Sequence, residues 1–157
     1  SEAMIRALLG AMALAFVAHR MRAGGTGAPA VTPSKAKGLF WSTLSGLAST
    51  IAHAGGPPLS VYLLPQKLDK AVLVGTTGVF FAVINAVKLV PYLWLGLFDS
   101  RNLLTSLALA PLAPFGIWLG VWLMRRLSQE LFYRIAYAML LIVGAKLLWD
   151  GARGLAA

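Results

Sequence analysis

Five stretches of the chain are apolar all round a helical wheel, and the charged residues gather mainly between them instead of alternating within them. A helix apolar on every side belongs in a protein core or a bilayer, and about 20 such residues cross the hydrocarbon. The pattern predicts helical segments over 3–18, 38–66, 71–97, 102–124 and 131–149. Behind the first, His19, Arg20 and Arg22 are followed by residues 24–37, rich in Gly, Ala, Pro and Thr, which read as a linker and the main domain boundary. Arg125-Arg126 ahead of Ser128-Gln129-Glu130 reads as a helix stop and a capped restart. With Ser at position 1 and no cleavage pattern behind the first apolar run, the chain reads as a mature product or an excerpt of a longer protein.

The second segment departs from the pattern. Ala54-Gly55-Gly56-Pro57-Pro58 interrupts any helix, because glycine is entropically poor there and each proline lacks a backbone donor. Prolines suit the first turn of a new helix, which predicts one half-helix over 38–53 and another over 58–64. Broken backbone is tolerated at membrane depth only where protein or a watery cavity covers it, so the break marks a site. The segment can cross or fold back. If it crosses, Lys and Arg divide 6 against 7 between the two sides; if it is a re-entrant hairpin they divide 9 against 4, with the linker on the richer side. The positive-inside rule favours the hairpin and a cytoplasmic linker.

Composition sharpens the class. Hydrophobic residues make up 59% and charged residues 12%, with a mean hydropathy of +0.76. These values describe an all-α integral membrane protein, a polytopic helical bundle with a broken helix at 54–58. The net charge of +9 comes from cations standing singly or in pairs beside apolar runs, which suits membrane flanks and not nucleic acid. Cys 0 removes disulfides and thiolate chemistry, and two histidines without acidic neighbours make no metal site. No cofactor is expected. An intramembrane hydrolase built on Ser49, Thr50 and His53 lacks a carboxylate to orient the imidazole, so no enzyme is expected either.

What remains points to an anion. Lys88 is the one ionisable residue deep in the third segment, about 13 Å along a helix from Leu97, too far for its stem to reach the interface. A cation at that depth needs a counter-ion or water. Gly78, Phe81, Asn85, Lys88 and Tyr92 share one sector of that helix. Pro91 cannot bond the Val87 carbonyl, which frees an acceptor beside the lysine. Asn85 suits an oxyanion or an interhelical bond equally; Thr76 and Thr77 either line the site or bond back within their own helix, Thr77 the latter. At the break, the start of the second half-helix offers backbone N–H groups and the positive end of a dipole; Gly55, Gly56 and Pro57 shape it and Ser60 lies in its first turn. His53 adjoins it, either as a carrier of a coupling proton or as a plain hydrogen-bond partner. The candidate substrate-binding set is therefore His53, Gly55, Gly56, Pro57, Ser60, Thr76, Asn85 and Lys88. A competing reading is a non-transporting membrane scaffold or assembly subunit whose Lys88 pairs with a partner chain.

The run Ser49-Thr50-Ile51-Ala52-His53-Ala54-Gly55-Gly56-Pro57-Pro58-Leu59-Ser60-Val61-Tyr62-Leu63-Leu64-Pro65-Gln66, with Val74-Gly75-Thr76, Phe80-Phe81, Asn85-Ala86-Val87-Lys88 and the ending Lys146-Leu147-Leu148-Trp149-Asp150, resembles the sulfite exporter TauE/SafE family. The likeness runs from Phe40 onward. It implies a bacterial inner-membrane permease with two related halves that moves sulfite, sulfonates and similar organosulfur anions. On that likeness, residues 1–23 correspond to the last helix of a first half, 24–37 to a basic cytoplasmic linker, and 38–157 to the second half with three spanning helices beside the broken one. The expected partners are a small anionic substrate, the lipid bilayer, and a missing N-terminal half or a second chain to complete the pathway.

Overall fold

The computed structural model describes residues 2–96 and 100–156, with the side chains of 100–103 left aside. Among the described residues, seven α-helices follow in order: α1 Glu2–Arg22, α2 Lys35–Ala52, α3 Gly56–Leu63, α4 Lys70–Trp94, α5 Ser100–Leu109, α6 Leu112–Arg126 and α7 Gln129–Ala156. Short 3₁₀ turns lie at Gly25–Gly27 and Leu64–Gln66, and there is no strand among the described residues. The chain is an all-α membrane protein, and α1, α4 and α7 are each long and apolar enough to span. The expected end of the third segment at Leu97 lies outside the described residues.

The helices form two compact units, 1–73 with 129–157, and 74–128. The first is built on α1 and α7, which run antiparallel: Gly154 meets Ala3, Gly151 meets Ala7, Gly144 meets Ala13, and Phe16 stacks on Tyr137 at 6.2 Å. Small residues make this possible. A Cβ on Gly10 would lie 2.4 Å from the Leu148 nitrogen, and one on Gly151 would lie 2.4 Å from the Ala7 nitrogen. Lipid tails are as apolar as leucine, so such close backbone packing, rather than burial from water, holds membrane helices together.

Against this pair lies the α2–α3 segment, folded back on itself. Helix α2 stops at His53, whose left-handed backbone (φ 51°, ψ 29°) turns the chain, and the Ala54 N–H caps it by donating to Ala48 O at 3.1 Å. The buried Ser45 hydroxyl donates to Gly55 O at 2.6 Å. Further from the turn on each arm, the Tyr62 hydroxyl donates to Ser34 O at 3.2 Å, and Val31 N–H donates to Pro65 O at 2.9 Å. Both arms therefore start and finish at the end of the unit that holds the linker, and the segment is a hairpin. Ala48, Ala52 and Ala54 pack on Leu9, Ile5, Met12 and Leu147, so the turn abuts the N-terminal half of α1. At the linker end, Tyr133 Oη and Gln129 Nε2 donate to Leu68 O at 2.7 Å, and Lys70 N–H donates to Gln129 Oε1 at 3.0 Å. Arg20, Arg22, Lys35, Lys37, Lys67, Lys70 and Arg134 belong to this end, and Arg6, Lys146 and Arg153 to the other.

The second unit holds α4 from Val74, α5 and α6. The single helix expected over 102–124 is corrected here: Ala110 and Pro111 separate α5 from α6. Pro111 and Pro114 lack the N–H groups that would reach the carbonyls of Leu107 and Ala110. Tighter bonds replace them, Ala110 N–H to Leu107 O at 3.3 Å and Ala113 N–H to Ala110 O at 3.1 Å, and the helix axis is interrupted. No residue of α6 is buried.

Candidate functional site

The first unit carries His53, Gly55, Gly56, Pro57 and Ser60 of the expected set; the second carries Thr76, Asn85 and Lys88. The first group is brought together at the hairpin turn. Helix α3 begins at Gly56 with Pro57 and Pro58 in its first turn. Both prolines lack N–H, and the Leu59 N–H leans on Gly55 O at 3.5 Å, so the backbone donors left at this start are those of Gly55 and Gly56. Gly55, Pro57 and Pro58 are buried, Ser60 is half-buried, and Gly56 is exposed with open space where a Cβ would stand. A small anion can approach the Gly56 N–H with little hindrance.

His53 is exposed at the same turn and holds a positive φ that glycine would accept without strain. For an L-residue that backbone costs about 1–2 kcal/mol. The imidazole therefore stands at the turn at a conformational cost. Ser45, which sequence reasoning missed, fixes the turn from below through its bond to Gly55 O. Its signal was weak: a serine inside an apolar helix, ten residues before the carbonyl it reaches.

In the second unit, α4 is continuous from Thr76 to Tyr92, so helical spacing decides which residues share a face. Its least exposed stripe runs through Thr77, Phe80, Phe81, Ile84, Lys88 and Tyr92. Lys88 is 7% exposed, and it is the only buried residue among those described in this unit. Asn85 is exposed, beside the stripe rather than on it. Thr76 stands about half a turn around the helix from Asn85. Thr77, eleven residues before Lys88, shares its stripe; that spacing was readable in the sequence and was passed over in favour of Thr76.

No group of three or more His, Cys, Asp or Glu able to hold a metal occurs among the described residues. The hairpin turn by itself offers backbone N–H donors and an imidazole to a small ligand. The family model described as sulfite exporter TauE/SafE matches residues 1–147, which extends the likeness from the motifs at Phe40 back through α1. No curated protein and no solved structure matches the chain.

Proposed function

This chain belongs to the sulfite exporter TauE/SafE family, membrane transporters of the sulfite and sulfonate type and not enzymes, and on that premise we propose that it carries a small sulfur oxyanion by secondary transport. The hairpin turn seats the substrate. The observation that carries this reading is the turn itself: a strained imidazole at His53 beside an open Gly56 at the start of α3, tied down by Ser45. Backbone N–H groups and a helix dipole stabilise an anion there without the desolvation cost of a second buried charge. Ser60 supplies a hydroxyl in the first turn, and His53 supplies a proton site for coupling.

Lys88, with Asn85 near it on the same helix, contributes positive charge and a polar group to the substrate's passage. Its support is its place: a lysine is the one buried residue among those described in a unit that is otherwise exposed or half-buried. The linker end of the first unit faces the cytoplasm of a bacterial inner membrane, supported by its seven cations against three at the opposite end. Further helices, from a first half or a second copy of the chain, complete the pathway. Their support is the open face of α4 and α6, where Gly75, Gly78, Gly116 and Gly120 have nothing within 4 Å of a built Cβ.

The test is uptake of radiolabelled sulfite and of a small sulfonate by proteoliposomes holding the full-length protein. Saturable uptake that falls at least about tenfold in Ser45→Val, whose methyls deny Gly55 O its donor, supports the reading. Uptake no greater than in protein-free liposomes, with correctly inserted protein, sinks it in favour of the scaffold.

A further inference from the structure

At the linker end of the first unit, away from the hairpin turn, a cavity of about 230 Å³ opens between the end of α1, the linker, the start of α2 and the end of α3. Its polar lining comes from His19, Arg20, Lys37, Tyr62 and Gln66, with Trp41 as an aromatic wall. No carboxylate lines it. Three basic side chains without an acidic neighbour in the wall are an uncompensated positive charge in a partly enclosed space, and such a space concentrates anions.

Arg20 separates this cavity from an ordinary basic surface. It is only 8% exposed, although it sits at the end of a helix whose other late cation, Arg22, is exposed. Its Nη2 donates to Pro29 O at 2.9 Å, which pins the guanidinium against the linker. Its Nε–H is buried with no hydrogen-bond partner among the described residues. Its charge also acts on the Tyr137 hydroxyl on the neighbouring helix. A guanidinium stays charged at any physiological pH and pairs well with tetrahedral oxyanions. Arg20 is thus a fixed cation in the wall of a cavity that carries further positive charge.

We propose that this cavity is a second oxyanion site, distinct from the hairpin turn, which takes a phosphate- or sulfonate-type group at the membrane surface. Arg20 is the fixed donor, Lys37 and His19 are the mobile ones, and Trp41 and Tyr62 form the amphipathic wall common where a site meets lipid headgroups. The same chemistry serves a dissolved anion and the headgroup of an acidic lipid.

The chain has no cysteine, so Thr32→Cys places one thiol at the cavity wall. Its rate of reaction with anionic and cationic methanethiosulfonate reagents is measured in full-length protein in phosphatidylcholine nanodiscs. The anionic reagent is expected to react about tenfold faster at low salt. Inorganic phosphate added to these discs, or phosphatidylglycerol built into them, slows the anionic reagent: protection by phosphate assigns a dissolved anion, and protection by phosphatidylglycerol alone assigns a lipid headgroup. Lys37 is exposed and its replacement spares the fold, so Lys37→Gln, alone and with Arg20→Gln, is expected to remove the protection; Arg20→Lys restores part of it. Equal rates for the two reagents, no protection by either probe, or protection that survives both substitutions overturns the proposal. The readout is thiol reactivity at the cavity wall and does not depend on uptake, so a failure of the transport reading does not imitate a failure here.

Discussion

Glycine serves opposite ends in the two units. In the first, Gly10 and Gly151 have no room for a methyl group because the backbones of α1 and α7 touch there. In the second, Gly75, Gly78, Gly116 and Gly120 face open space, and large side chains such as Val79, Leu107, Ile117 and Trp118 are exposed around them. One unit has spent its small residues on contacts within the chain. The other keeps them on a surface that only lipid or further helices can cover. The lesson is that apolar content says a segment belongs in the membrane, while the surroundings of its glycines say whether it has already found its neighbours.

The largest expected effect tests that contrast directly. Gly10→Ala drives a methyl into the Leu148 backbone and is expected to destabilise the protein by about 3 kcal/mol or more, read as a fall in thermal midpoint in detergent. Gly116→Ala, a matched change in the open unit, should leave the midpoint unchanged or raise it by up to about 1 kcal/mol through helix propensity. Equal losses from both would mean that α6 is as tightly packed as α1, and would erase the distinction.

A second test asks whether Lys88, the one buried residue among those described in the open unit, serves transport or packing. Lys88→Met keeps the length of the side chain and removes its charge. Uptake of sulfite or a sulfonate is expected to fall at least tenfold while insertion and thermal midpoint hold. Unchanged uptake would remove Lys88 from the substrate's path.

In the closed unit, Ser45→Ala deletes a buried hydroxyl and leaves Gly55 O with a weaker set of partners, at a cost of about 1–3 kcal/mol in denaturant midpoint. The smallest effect has the opposite sign. His53→Gly relieves a left-handed backbone and should raise stability by about 1 kcal/mol, read from the thermal midpoint. A lowered midpoint would mean that the imidazole makes contacts worth more than the strain it imposes.

The broken second segment was legible because four residues, Gly55 to Pro58, remove helix propensity and two donors at one place. The break between α5 and α6 was not, although Pro111 and Pro114 are just as plain in the sequence. Proline alone does not decide: Pro91 sits inside α4, which continues past it to Trp94. At Pro91 one carbonyl loses its donor; at Pro111 and Pro114 two carbonyls on successive turns do, and i→i+3 bonds take over. The positions of Lys88 and His53 were readable from charge and adjacency. The roles of Ser45 and Arg20 were not, because both depend on backbone carbonyls brought near by the fold, Gly55 O and Pro29 O, and a carbonyl has no signature in a sequence.

The α1–α7 seam also sets an order of events during synthesis. Gly10 rests on Leu148, so α1 waits for α7 to be made before its small-residue face is covered. At ribosomal speeds the interval is on the order of ten seconds, during which Gly10 and Ala13 face lipid or whatever chaperone attends the nascent chain. The hairpin, whose arms are joined by a few residues, closes well inside that interval. Assembly of the first unit therefore begins with the hairpin turn and ends with the seam that supports it.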